Sequence, residues 1–182
     1  EGRANWRFDG AIDEMTVFQR ALSGGELAVL MGQTHQCGPV VNPVQAAYSF
    51  NCVEPGADAL TGRLHTRSVG SVFTFDIAAL RDSDGDSIAD AVETQYAQGA
   101  DRVVTVELVD SSGTGACATL PALNPAVSAP VSFEATHGGR RQGAPFSVSR
   151  AYRSVACRVT DANDTQPVVG CSSDSFSIRP TA

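Results

Sequence analysis

Five acidic side chains stand together in one short stretch, Asp82-Ser83-Asp84-Gly85-Asp86-Ser87-Ile88-Ala89-Asp90-Ala91-Val92-Glu93. Asp82, Asp84 and Asp86 occupy alternate positions; Asp90 and Glu93 follow at the ninth and twelfth places. This is the spacing of loops that wrap Ca2+, a hard cation that takes roughly six to eight oxygen ligands. Alternate carboxylates in a turn converge on one point. The backbone carbonyl of Ile88 adds one oxygen, and a glutamate in twelfth place can add two. Ser87 stands at the sixth position, where the turn favours a positive φ and glycine is usual, so the expected site is a weak one. Its expected role is structural: an ion that fixes the strand ends on either side. Asp58 and Asp76 are expected to stand outside it.

The other reactive side chains are few. His35, His65 and His137 each lack an evident partner, and His137 is followed by two glycines in what reads as a loop. The chain has no Gly-x-Ser-x-Gly elbow, no His-Glu-x-x-His and no phosphate loop. The expectation is therefore that the protein is not an enzyme. Five cysteines lie at 37, 52, 117, 157 and 171, with no Cys-x-x-Cys among them. That argues against a zinc ribbon or a thioredoxin-like site and for disulfides in an oxidising compartment. Five cysteines permit many pairings. Cys52 and Cys157 share the inward parity of their strands, so a bridge through the core is open to them. Cys117 falls in a glycine-rich turn and Cys171 just before the last strand, where a bridge would staple strand ends. We favour Cys117–Cys171 first and Cys52–Cys157 second, and expect Cys37 to be the odd thiol.

The elements that position these groups read as strands. Phe73, Phe75, Ile77 and Ala79 alternate with Thr74, Asp76, Ala78 and Leu80 ahead of the acidic loop. Val104, Val106 and Leu108 alternate with Thr105, Glu107 and Val109 after it. A period of two places each apolar set on one face of a half-buried strand. The same pattern recurs at Tyr48/Phe50/Cys52, Val131/Phe133/Ala135, Phe146/Val148, Val155/Cys157/Val159 and Phe176/Ile178, and a short strand is expected at 60–66. A short helix is expected over 89–98. Many short strands separated by turn residues predict an all-β, immunoglobulin-like β-sandwich over 47–182. Tyr152, just before the Val155 strand, reads as a tyrosine corner whose hydroxyl ties back to the backbone.

Composition bounds the function classes. Of 182 residues 42% are apolar, which supports a packed core, and the net charge is −7. All 13 basic residues are arginine, and Arg140-Arg141 is the one adjacent pair. No basic stripe exists to track phosphates, which sets nucleic acid aside. No apolar run approaches the ~20 residues needed to cross a bilayer. The chain opens on Glu1, with no signal peptide visible, and reads as cut from something longer.

Two stretches carry a family resemblance. Phe8-Asp9-Gly10-Ala11-Ile12-Asp13-Glu14-Met15-Thr16-Val17-Phe18-Gln19-Arg20-Ala21-Leu22-Ser23, followed by Glu26-Leu27, resembles the C-terminal end of a laminin-G-like (concanavalin-A-like) jelly roll. It implies that residues 1–35 are the last strand and a short helix of such a domain. Asp13 stands where that family sometimes binds calcium, although we expect it to be an ordinary strand-end carboxylate here. Residues 36–46, with two prolines and no periodicity, then read as a linker. Further on, Tyr48-Ser49-Phe50, Glu54-Pro55-Gly56-Ala57, Ala151-Tyr152-Arg153 and the ending Cys171-Ser172-Ser173-Asp174-Ser175-Phe176-Ser177-Ile178-Arg179-Pro180 are similar to a module of large secreted bacterial proteins. Those proteins belong with the mannose-sensitive-haemagglutinin pilus biogenesis proteins. The acidic loop itself resembles the Asp-x-Asp-Gly-Asp repeats of thrombospondin-type-3 and dockerin-like proteins. Together the resemblances imply a non-enzymatic, adhesin-like module at the bacterial cell surface or outside the cell. Its partners would be other domains of the same larger protein, pilus components or glycans. The alternative is an accessory carbohydrate-binding, lectin-like part of a secreted glycan-active protein. That alternative calls for an exposed aromatic platform, and the sole tryptophan, Trp6, belongs to the opening fragment.

Overall fold

Alternating β-branched and aromatic residues cannot bury both faces of an isolated strand, so these runs must pair and then pack face to face. The computed structural model describes residues 20–25 and 46–181. The chain divides into two units, Glu1–Val40 and Val41–Ala182. The expected jelly-roll strand, Asp13, His35 and Cys37 lie outside the described residues.

The described part of the second unit is built almost wholly of strands. In chain order they are β1 (Ser49–Val53), β2 (Arg67–Ser68), β3 (Val72–Phe73), β4 (Asp76–Arg81), β5 (Ala91–Val92), β6 (Arg102–Asp110), β7 (Ser128–Phe133), β8 (Arg140–Gln142), β9 (Phe146–Ser147), β10 (Tyr152–Asp161), β11 (Val168–Cys171) and β12 (Phe176–Arg179). Single 3-10 turns at Cys117–Thr119 and Ala135–His137 interrupt them. One sheet has β4 between β1 on one side and β5 and β8 on the other. The second runs β2-β12-β10-β6-β7, with β11 beside the far part of β10. β3 and β9 form a small separate pair. Phe50, Cys52, Ile77 and Ala79 from the first sheet and Val104, Val106, Leu108, Val155, Cys157 and Val159 from the second share one core. The unit is an all-β sandwich.

Both favoured disulfides are formed. Cys52–Cys157 joins β1 to β10 across the core, with Cα atoms 6.1 Å apart and both cysteines fully buried. Cys117–Cys171 ties the 3-10 turn to the end of β11, with Cα atoms 5.6 Å apart. The Tyr152 hydroxyl donates to the Asn124 carbonyl and accepts from the Asn124 N–H, each at 2.8 Å. An inter-sheet disulfide and such a tyrosine are both features of immunoglobulin-like sandwiches.

Several local expectations are corrected. The Phe73–Ala79 run is not one strand: β3 pairs with β9 and β4 with β1, and fully buried Phe75 lies between them. Phe75 packs edge-on to Phe176, centroids 5.6 Å apart, so its alternation reports burial among aromatic rings and not a ladder. Residues 60–66 form no strand; the pairing there begins at Arg67. No helix follows the acidic loop. β5 pairs Leu80 with Val92, because Ala78 and Leu80 form a second small cluster with Ala59, and Val92 packs against it. Ala135 has left β7 for a 3-10 turn. Tyr48 is half exposed, with its hydroxyl on the acidic loop.

Gly170 in β11 sets how closely that strand approaches β1. A Cβ there would stand 2.3 Å from the Phe50 nitrogen and 2.5 Å from the Phe50 oxygen, both backbone atoms that cannot swing aside. Gly170→Ala is expected to cost about 2–3 kcal/mol by overpacking. Urea unfolding followed by circular dichroism measures it; a change under ~0.5 kcal/mol would show that β11 shifts freely.

Candidate metal site

The acidic loop joins β4 to β5, and its own carboxylates shape it. Asp82 accepts hydrogen bonds from the backbone N–H of Gly85 at 2.7 Å and of Ser87 at 2.8 Å. Asp84 accepts from the Asp86 N–H at 3.2 Å and Asp86 from the Ile88 N–H at 2.8 Å. These are turns closed by aspartate side chains, which compete for backbone donors where no ladder does. Ser87 adopts φ +71° despite its side chain. The Tyr48 hydroxyl donates to the Ser87 carbonyl at 2.9 Å, tying the loop to the start of the first sheet.

Asp82, Asp84 and Asp86 each bring a carboxylate oxygen within 4.8 Å of the others. Asp90 and Glu93 are not in this group. Asp90 faces back to Ser83, accepting from its N–H at 3.0 Å and from its hydroxyl. The Ser83 hydroxyl, then its N–H, hold the Asp90 carboxyl below the usual aspartate range. Glu93 lies beyond β5, where its N–H bonds to the Ala79 carbonyl; the side chain is 3% exposed and accepts from the Gln95 N–H at 2.9 Å. Strand pairing at β5 took Glu93 where a helix would have left it facing the loop. Ile88 follows Asp86 with its side chain largely exposed. The three converging carboxylates are an all-oxygen donor set that fits a hard divalent cation.

The remaining candidates have structural partners. Asp76 accepts from the Gly56 N–H and from Arg140, and Asp58 caps its own turn through Leu60 and Thr61. His137 accepts the Glu134 N–H on Nδ1 at 2.8 Å, and His65 is exposed.

A buried ionic group was missed in the sequence. Arg102 at the start of β6 is 4% exposed and Asp161 at the end of β10 is 2% exposed. Arg102 Nη1 reaches Asp161 at 2.9 Å and Asp164 at 2.8 Å. The Tyr96 hydroxyl donates to Asp161 at 2.7 Å, and the Asn163 N–H donates to its other oxygen at 2.9 Å. Burial, followed by the bond to the Asp161 carboxylate, pushes the Tyr96 hydroxyl far above its ordinary pKa, so it stays a donor. The signal was present in the parity. Arg102 continues the inward set Val104/Val106/Leu108, and Asp161 the inward set Val155/Cys157/Val159, so opposite charges occupy inward positions at one end of two paired strands.

Among the described residues no helix is long and apolar enough to cross a membrane. No protein-family model and no curated protein matches the chain.

Proposed function

We propose that the protein is a non-enzymatic, extracellular module of a bacterial pilus- or envelope-associated, adhesin-like surface protein. The observation that carries this reading is the pair of disulfides, one through the sandwich core and one at its rim. Two such bridges suit a chain that folds in an oxidising compartment. His137 is engaged in a capping turn and most of the acidic groups outside the loop are engaged in turns, caps and ion pairs, which supports a role in display and not in chemistry. The test is expression of the gene in its own host, followed by labelling of intact cells with a membrane-impermeant carboxyl reagent, since the chain has no lysine. Labelled protein with both bridges oxidised is the expected outcome. Protein found only inside cells, with free thiols at 52, 117, 157 and 171, removes the reading.

The loop would hold Ca2+ as a structural ion through Asp82, Asp84 and Asp86, with water and backbone oxygens completing the shell. Calorimetric titration of CaCl2 is expected to show binding in the millimolar range, abolished in Asp84→Ala. At ten times its dissociation constant the ion adds about 1.4 kcal/mol of stability. Silence from both proteins ends the calcium assignment.

A further inference from the structure

We propose that Pro130 and Arg141 guard the free edge of β7, and that what they exclude is the same edge of a second copy of this chain. The proposal goes beyond the display reading and does not depend on it.

A strand at the end of a sheet leaves a row of backbone N–H and C=O groups open to another chain. β7 ends the second sheet, and with six residues it is the longest end strand among the described residues. β1, at the end of the first sheet, is covered: β11 comes so close that a Cβ on Gly170 would stand 2.3 Å from the Phe50 nitrogen. β7 has no such cover among the described residues. The Leu108 N–H donates to the Val127 carbonyl at 2.9 Å, so Val127, Ala129, Val131 and Phe133 turn their backbone groups toward β6. Ser128, Pro130 and Ser132 turn theirs outward. The strand carries no charge, and a neutral extended segment is what strand addition selects.

These outward groups are self-complementary. Set antiparallel against its own copy, the edge places Pro130 opposite its counterpart and Ser128 opposite the counterpart of Ser132. Each Ser128 N–H would donate to a Ser132 carbonyl, the central pair would exchange two bonds, and a two-fold dimer would close. The chain removes both contributions. Proline has no N–H, so the central bonds cannot form. The Ser132 carbonyl already accepts from Arg141 Nη1.

Arg141 reaches that carbonyl from the other sheet. It pairs with Ile77 in β4, so it leaves β8 on the inward face, at the open side of the sandwich. Ile77 is fully buried and Arg141 half-buried. With Pro130, Ser132 and Gln142 it lines an open cleft. The Ser132 carbonyl is its hydrogen-bond partner among the described residues. A strand arriving at β7 would have to displace the guanidinium and cover it without a partner, which is costly. An inward-pointing charge at a sheet edge keeps strands off in this way.

Sedimentation equilibrium of the full chain, over a wide range of concentration, tests the guard. Pro130→Val/Arg141→Ala is expected to self-associate about tenfold or more tightly than wild type, through the regained bonds. Each single variant should lie between, and stands in where the double variant does not fold. Losing an arginine makes the net charge more negative than −7, so charge alone would weaken association. Adding Ser128→Pro to the double variant should restore wild-type behaviour, because it deletes the donor to the Ser132 carbonyl. Near-ultraviolet circular dichroism confirms that each variant is folded. Amide hydrogen exchange on the wild type needs no variant: the Ser128 and Ser132 N–H groups should exchange fast, and those of Ala129 and Val131 slowly. Variants that associate no more than wild type, association that survives Ser128→Pro, or protected Ser128 and Ser132 amides in the wild type overturn the proposal.

Discussion

Replacing Cys52 and Cys157 together by alanine is expected to lower the unfolding free energy by about 4–5 kcal/mol and the midpoint temperature by ~15 °C. The bridge spans 105 residues of sequence, so its loss frees a large loop in the unfolded chain. Chain entropy alone assigns a closed loop of that length about 4.7 kcal/mol. Location adds to this. Both cysteines are fully buried between the sheets, so removing the sulfurs also leaves space in a packed core. The Cys117–Cys171 bridge spans 54 residues and ties half-buried groups. Its removal should cost about 0.6 kcal/mol less by loop length, and less again for want of a core cavity. Urea unfolding of the two double variants, each read by far-ultraviolet circular dichroism, measures both. Where the Cys52/Cys157 variant fails to fold, unfolding the wild type in the presence of dithiothreitol reports the combined loss. If the rim bridge proves worth more than the core bridge, this ordering is wrong.

The second large effect belongs to the buried ion pair. Breaking such a pair leaves one charge uncompensated in the interior, at about 3–5 kcal/mol. Asp161→Asn leaves Arg102 with Asp164 alone, and Asp164 is half exposed. Arg102→Met leaves Asp161 with Tyr96 and Asn163 as donors but no buried cation. Each single variant is expected to fall in that range. The double variant should lose clearly less than the sum, since no lone charge remains. Additive losses would show that the two side chains do not act as a unit.

Acid should reveal the same pair. Burial alone would raise the Asp161 carboxyl. The N–H and side-chain amide of Asn163, the Tyr96 hydroxyl and Arg102 outweigh it and hold the carboxyl below the ordinary range. In the unfolded chain an aspartate titrates near about 3.9. The unfolded state thus binds the proton first. The contribution of Asp161 is fully present above that value and is lost as pH falls through the lower, folded one. Asp161→Asn should therefore flatten the acid limb of the stability curve. It should not abolish it, because Asp58, Asp90 and Asp110 are also held low by local hydrogen bonds. Parallel acid limbs in wild type and variant would separate the pair from acid unfolding.

Alternation alone placed the central strands. β6 and β10 were legible because a half-buried antiparallel strand must show its apolar set at every second residue, as Val104, Val106, Leu108, Val155, Cys157 and Val159 do. The two cysteine pairings were legible from parity and from position at strand ends. The edges were not. β11, Val-Val-Gly-Cys, has no alternation, because its role is to bring a bare backbone against Phe50. β2 and β5 hold two residues each, too short for any period, while β3 and β9, equally short, were marked by Phe73 and by the Phe146/Val148 pair. Local spacing marked out the acidic stretch 82–93 but could not divide it. Asp82, Asp84 and Asp86 converge because their own turns bend them together, over a range of few residues. Glu93 was withdrawn by pairing of its neighbour Val92 with Leu80, a bond between segments. Arg102 and Asp161 look like ordinary polar strand ends until β6 and β10 are in register, and register is decided by which core the whole set of strands can fill. The sequence by itself determined strand identity and inward parity, since both are repeats of two residues. Partner, register and the fate of each charge came only with the tertiary structure, because they depend on residues 105 and more apart in the chain meeting in one sandwich.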